Sequence, residues 1–233
     1  MSPQEITSLY QNSLTRLLLD GIFPYRCYGC GTYDTLLCSY CLKRLPRRSP
    51  VTVFFDTSKE STSLDSLTSP LFFKTPLVSL SIHDYKFQGI TLLTQSFAGL
   101  LLEAIEHSPL RLPTYITAVP LHPKRLRERG YNQSDLLARE LSFLLNEPTP
   151  IIHHVTLLKR TRNTSPQSKQ PDRKTRLEAM RDVFALKDTA PDIIGSIIWL
   201  IDDVTTTHAT LEACAKVLKQ AGASEVHGIV IAR

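Results

Sequence analysis

The chain has 233 residues, 42% hydrophobic and 21% charged, with 27 Lys and Arg against 22 Asp and Glu, and five cysteines. It is long enough to bury a sizeable core without disulfide staples, and its composition excludes a disordered chain, a collagen and a disulfide-rich secreted mini-domain. No apolar run approaches the ~20 residues of a membrane-spanning helix, and the start MSPQEITSLYQ lacks the basic and apolar regions of a secretory signal, so a cytoplasmic protein is expected.

The net charge of +5 is unevenly spread: residues 1–50 carry +3, residues 120–185 carry +6 and the remainder −4. Basic stretches suit phosphate-bearing partners, either a nucleotide-like metabolite or a nucleic acid backbone. An ordinary solvated surface gives the same pattern, so charge alone decides nothing.

Residues 7–20 read as a helix, with Leu9, Leu14, Leu17 and Leu18 at helical spacing and Gly21 as a stop. Next come Cys27-Tyr-Gly-Cys30 and Cys38-Ser-Tyr-Cys41, a C-x2-C-x7-C-x2-C pattern. Zinc takes four thiolates in a tetrahedron, and each C-x2-C turn presents two from one tight knuckle. Two disulfides or a redox-active pair compete, but a chain without a secretion signal fits disulfides poorly, and a thioredoxin-like site needs one pair only. A closed, structural zinc site on Cys27, Cys30, Cys38 and Cys41 is therefore expected. Around it lie Tyr25, Tyr28, Tyr33 and Tyr40 with Arg26, Lys43, Arg44, Arg47 and Arg48. Aromatic faces interleaved with cations suit single-stranded nucleic acid, whose bases stack while its phosphates pair. The same tyrosines would equally serve as the knuckle's small core.

The Ser-, Thr- and Pro-rich stretch at 51–75 reads as a linker. Three parts follow: residues 1–50 as a helix and zinc module, 51–75 as linker, and 76–233 as the main domain. In that domain, a helix is expected at 91–106, a strand at 114–119 and a helix at 132–146 capped by Asn132. The run IIWLI, residues 197–201, suits a strand buried on both faces. A helix at 209–221, in which Cys214 is a buried small hydrophobe, leads to a strand at 226–232. Strands alternating with helices point to an open, mostly parallel α/β sheet.

The sharpest signal is IIWLIDDVTTTHAT, residues 197–210. A buried strand delivers Asp202 and Asp203 at its C-terminal end, where open α/β sheets bind ligands. The loop that follows opens into a helix N-terminus, which offers N–H groups and a positive dipole end to a phosphate. Thr206, Thr207 and Thr210 add hydroxyls, and paired carboxylates can accept hydrogen bonds from a vicinal diol. A ribose 5-phosphate ligand satisfies both, although a ligand-free strand-to-helix turn has the same outline.

This segment resembles the 5-phosphoribosyl-1-diphosphate (PRPP) motif of type I phosphoribosyltransferases, D-D-V-x-T-T-G-x-T after a hydrophobic strand. Asp202, Asp203, Val204, Thr206, Thr207 and Thr210 match, while His208 replaces the glycine that lets a phosphate approach the backbone. Residues 119–133, VPLHPKRLRERGYNQ, resemble a signature of the ComF/GntX family of amidophosphoribosyltransferase-like proteins, through Pro120, Arg125, Arg129, Gly130, Tyr131, Asn132 and Gln133. Residues 158–184 are similar to that family's R-x-R-x-T-x-x-Q segment at Arg160, Arg162, Thr164, Gln167, Arg176 and Phe184, with Ala179 where Asn is usual. Tyr85-Lys86-Phe87-Gln88-Gly89 resembles its aromatic-Lys-x-x-Gly element.

The resemblance implies a fold of the type I phosphoribosyltransferase kind behind a small N-terminal four-cysteine zinc knuckle. It implies PRPP as ligand, with Asp202 and Asp203 as catalytic residues on the ribose hydroxyls. The 5-phosphate would lie on Thr206, Thr207, His208, Ala209 and Thr210, and the pyrophosphate, with Mg, at Pro120, Leu121 and His122. Arg125 and Arg129 join the knuckle cations as candidate contacts to single-stranded DNA. The basic stretch 159–176 would close as a lid, and no general base stands out beyond His208, with His153 and His154 as ordinary strand-edge residues. A competence protein handling incoming DNA, with a helicase or recombination proteins as partners, is the role implied. A nucleobase-salvage phosphoribosyltransferase is one alternative, disfavoured by the zinc module and the RGYNQ segment. The other is a non-catalytic DNA-binding scaffold whose PRPP site has decayed, which the His208 substitution would suit.

Overall fold

The computed structural model describes residues 25–58, 62–145, 153–162 and 183–233. The helix expected at 7–20, most of the expected lid, with Thr164, Gln167 and Arg176, and Ala179 beyond it lie outside the described residues. A short helix α1 (Ser39–Arg44) closes the cysteine knuckle, and strands β1 (Thr52–Phe54) and β2 (Ser66–Thr68) follow. Next come α2 (Pro76–Phe87), α3 (Leu93–Glu106), β3 (Tyr115–Ala118), α4 (Pro123–Arg129), α5 (Gln133–Leu145) and β4 (His153–His154). The hairpin strands β5 (Leu158–Arg160) and β6 (Phe184–Leu186) precede β7 (Ile197–Val204), α6 (Ala209–Gln220) and β8 (Glu225–Ala232).

Six strands form one sheet in the order β1-β2-β8-β7-β3-β4. Only the edge strand β1 is antiparallel; β2, β8, β7, β3 and β4 are mutually parallel neighbours. The expected mostly parallel α/β sheet behind a four-cysteine cluster is thus the architecture found. Its centre explains the run IIWLI. Trp199 and Ile201 face one apolar layer with Ile82 and Tyr85 of α2, Phe97 and Leu101 of α3, and Leu137 and Leu141 of α5. Ile198 and Leu200 face the other, with Leu211, Cys214 and Leu218 of α6 and Phe184 of β6. Neither face of the run 197–201 meets water, so polar alternation is absent there. Cys214 is fully buried, as expected for a small hydrophobe.

The stretch 51–75 departs from the linker expected there. It contributes β1 and β2, and β2 pairs with β8 inside the sheet. The misleading feature is polar burial: Ser66 and Thr68 are fully enclosed but hydrogen-bonded. Ser66 Oγ lies 2.8 Å from His227 Nδ1, and Thr68 Oγ1 lies 2.8 Å from Thr52 Oγ1. Satisfied hydroxyls carry little burial penalty, so a Ser/Thr-rich segment can act as a strand. No helix among the described residues is long and apolar enough to cross a membrane.

Candidate functional site

The knuckle is built by its sulfurs and the backbone around them. The Sγ atoms of Cys27, Cys30, Cys38 and Cys41 all lie within 4.8 Å of one another, and all five cysteines are free thiols. Cys38 Sγ is 3.6 Å from both Cys27 Sγ and Cys30 Sγ. That is far beyond a ~2.05 Å disulfide bond and near the roughly 3.8 Å edge of a tetrahedron with ~2.3 Å metal–sulfur bonds. Although burial raises the Cys27 thiol, N–H groups of Cys38, Cys30 and Gly29 outweigh it and bring its pKa down to about 6. Burial and the neighbouring sulfurs push Cys41 up to about 12. Four sulfurs this close cannot all ionise without a cation between them, so the donor set fits a soft metal. Gly29 has no side chain for a reason: a Cβ there would stand 2.6 Å from Cys41 Sγ.

The second constellation lies at the C-terminal end of β7. Asp203 is almost fully buried and Asp202 half-buried, on opposite faces of the strand. Lys86 Nζ at the end of α2 pairs with Asp203 Oδ1 at 2.9 Å, and Gln133 Nε2 donates to Asp203 Oδ2 at 2.7 Å. Asp202 Oδ1 accepts from Ser134 Oγ at 2.9 Å. Gln133 and Ser134 open α5, whose entry is set by Gly130 at φ 84 ending α4 and by Asn132 capping Ser134 N at 3.1 Å. Asn132 also donates to Val119 O at 3.0 Å, tying this turn to the end of β3. Arg129 donates to Gln133 Oε1 and so reaches Asp203 through one side chain.

Burial and then the neighbouring Asp203 push the Asp202 carboxyl up to about 7, against the opposing pull of Lys86 and Ser134. Arg129 and Arg160 are lowered chiefly by burial, offset in part by Asp203 and Asp202 at Arg129 and by Cys214 and Asp202 at Arg160, and Arg125 repels both. Lys86 thus pairs with Asp203, Arg129 feels both carboxylates and Arg160 feels Asp202, with Arg125 near the two other arginines. The cations outnumber the acids, and that excess of positive charge suits a polyanion.

After β7 the chain turns through residues 205–208 into α6. His208 adopts φ 62, ψ 1, the left-handed conformation that favours glycine, although histidine enters it more readily than most residues. Its N–H donates to Thr205 Oγ1 at 3.2 Å, and its ring lies 6.2 Å from that of Phe55. Thr207 Oγ1 is buried and has no hydrogen-bond partner among the described residues. An orphaned hydroxyl beside a helix N-terminus fits a phosphate oxygen. Across the sheet, Pro120, Leu121 and His122 follow β3, and His122 Nδ1 accepts from Lys124 N at 3.2 Å to start α4.

The expected nucleic-acid cations separate into three settings. Arg26 and Arg44 are exposed on the knuckle, their guanidiniums 4.5 Å and 5.3 Å from the ring centres of the exposed Tyr33 and Tyr40, and Lys43 is exposed near them. Arg47 is half-buried and paired with Glu103 at 3.1 Å, and Arg48 lies over Phe72 at 4.8 Å. Arg125 and Arg129 belong to the surroundings of the acid pair rather than to the knuckle. Lys86, Gln133 and Arg160 appear in sequence only as members of matched segments, with no role assigned. Their partnership with Asp202 and Asp203 depends on residues far apart in the chain.

No family model matches the chain. Competence protein F of Haemophilus influenzae is 31% identical over 218 residues, covering 91% of this chain and 85% of that protein. DNA utilization protein YhgH of Escherichia coli O157:H7 is 30% identical over 207 residues, covering 86% of this chain and 80% of that protein. Among solved structures, the glutamine phosphoribosylpyrophosphate (PRPP) amidotransferase from B. subtilis complexed with ADP and GMP aligns with 64% of this chain and 30% of that one, at 16% identity and a TM-score of 0.38.

Proposed function

The chain belongs to the ComF/GntX family of competence and DNA utilization proteins, and on that premise we propose that it binds PRPP at the acid pair and transfers its phosphoribosyl group, while a zinc-held knuckle engages single-stranded DNA. The observation that carries the reading is His208 at φ 62. The one position that departs from the phosphoribosyl motif keeps the backbone turn that the motif's glycine would take, so the substitution is no sign of a decayed site.

The roles follow from the chemistry of each group. Asp202 and Asp203 accept hydrogen bonds from the ribose hydroxyls, oriented by Ser134, Gln133 and Lys86. The hydroxyls of Thr206, Thr207 and Thr210, with the first-turn N–H groups of α6, receive the 5-phosphate. The turn at 120–124 and the cations Arg125, Arg129 and Arg160 receive the pyrophosphate. Magnesium accompanying PRPP at the turn 120–124 would supply charge neutralisation to the pyrophosphate leaving group. The bond from the anomeric carbon to the pyrophosphate oxygen then breaks, its electron pair leaving with pyrophosphate. A lone pair of the acceptor forms the new bond, and the proton the acceptor atom carries leaves to water or to the released pyrophosphate. Positioning and charge stabilisation drive such a step.

On the knuckle, Arg26 over Tyr33 and Arg44 over Tyr40 offer exposed cation–aromatic pairs of the kind that bind bases and phosphates together. The deciding experiment is thermal unfolding with PRPP and magnesium. A ligand at a hundredfold excess over its Kd stabilises by about 2.7 kcal/mol, or roughly 5–10 °C for a chain of this size. Asp202→Asn combined with Asp203→Asn removes that shift; no shift in the unmodified protein refutes PRPP binding. Release of pyrophosphate, measured with and without single-stranded DNA, then tests the transfer.

A further inference from the structure

Phe87 ends α2 with its ring 64% exposed, outside both apolar layers. Its surroundings are not those of a stray surface hydrophobe. The Arg129 guanidinium lies over its ring, 5.2 Å from the centre, and the His83 ring stands 5.1 Å away at an angle of 46°. Two routes lead from this ring to one carboxylate. Lys86, the preceding residue, pairs with Asp203, and Arg129 reaches Asp203 through Gln133. An open aromatic face is therefore held at the rim of the acid pair by a cation and an imidazole.

We infer that Phe87, with His83 and Arg129, forms a stacking ledge for a planar heteroaromatic base, the acceptor presented to the anomeric carbon. This rests on the phosphoribosyl-transfer reading of the acid pair. Every purine and pyrimidine has a π-face that stacks on an aromatic ring or a guanidinium plane, and purines and cytosine also carry a ring-nitrogen lone pair that can attack carbon. The ring lies open rather than in a slot, so its face accommodates a base still attached to a strand as well as a free one. The surrounding cations suit the phosphates of either PRPP or that strand.

The test uses the full chain. Trp199, the single tryptophan, is fully buried, so in Phe87→Trp the second indole is the one reached by a soluble quencher such as iodide. Its fluorescence is titrated with short oligothymidylate, with an abasic strand of equal length and with free adenine. Stacking predicts quenching by oligothymidylate or by adenine and none by the abasic strand. Quenching by the strand identifies a chain-borne base; quenching by adenine alone identifies a free one. Separately, Phe87→Ala should narrow the preference for base-bearing over abasic strand by about tenfold, or weaken adenine binding to a similar degree, while keeping the PRPP-induced rise in melting temperature. No quenching by either base source, or an unchanged preference in Phe87→Ala, overturns the ledge. Loss of the PRPP shift from the unmodified protein overturns the phosphoribosyl reading instead, and base-dependent quenching then leaves a base-binding ledge without a transferase behind it.

Discussion

Burial and the neighbouring Asp203 hold the proton on Asp202 above the ordinary carboxylate range, with Lys86 and Ser134 pulling the other way. The sign of the consequence follows from proton counting. Between the ordinary carboxylate value of 3.8 and about 7, the folded chain keeps a proton that the unfolded chain has released. Stability from this group is therefore greatest on the acid side and falls as pH rises through that window. Melting curves recorded across the window should show the decline, and Asp202→Asn should flatten it. PRPP binding runs the other way, because ribose hydroxyls donate to an ionised carboxylate: titration calorimetry should find tighter binding one unit above the Asp202 value than one unit below. A second single-residue effect belongs to the knuckle. The Cβ introduced by Gly29→Ala would stand 2.6 Å from Cys41 Sγ and 3.2 Å from Leu77 Cδ2. This variant should release its metal to a chromogenic chelator at least about tenfold faster, since a ligand displaced from its tetrahedral position binds poorly.

At the scale of elements, the knuckle's basic surface divides into exposed cations held by neighbouring tyrosines and cations engaged with the body of the fold. Arg26→Ala with Arg44→Ala should weaken oligothymidylate binding and reduce the slope of log affinity against log salt by roughly 1.4, two phosphate contacts at ~0.7 each. Arg47→Ala should leave that slope unchanged and instead lower the melting temperature slightly, because its partner is Glu103 on α3. Sequence could not separate these arginines, since nothing near Arg47 announces Glu103. What was legible shares one property, that the pattern is local. The cysteine spacing, the apolar run of β7 and its Asp-Asp-Thr loop, and the Asn132 cap of α5 each lie within a few consecutive residues. What was missed depends on distant partners. β2 is a strand because His227 and Thr52 satisfy its hydroxyls, and α2 is buried along Val78, Ser81, Ile82 and Tyr85, a face interrupted by serine. Lys86 gains its position from Asp203 and Phe87 from Arg129, neither visible in their own segment.

Over the whole molecule, the knuckle and the sheet are not separable bodies. Leu37 and Leu45 of the knuckle belong to the same apolar layer as Trp199 and Ile201, and Tyr28 donates to Asp84 on α2 at 2.9 Å. Two residues beyond Asp84, Lys86 contacts the acid pair. Stripping the metal should therefore lower the temperature of a single unfolding transition by several degrees rather than create a separate early one, as calorimetry would show. It should also weaken the PRPP-induced shift. Removing residues 25–50 should give an insoluble remainder, because Val78 and Ile82 would lose part of their cover. The basic excess over residues 120–185 has a matching explanation at this scale, since Arg125 and Arg129 of α4 are brought together with Arg160 of β5, far along the chain from them.

The pairing of β2 with β8 has a consequence in time. Ser66 and His227 are hydrogen-bonded across 161 positions of chain, so β2 can pair early with β1 but waits for β8 until all of the intervening polypeptide has been synthesised. Until then the Ser66 hydroxyl has water as partner, and the apolar layers on either side of β7 are incomplete. Contacts between such distant segments slow folding. The knuckle, whose four sulfurs fall within fifteen consecutive residues, is complete long before that, and a metal held there would give the nascent chain one ordered segment against which α2 can settle first.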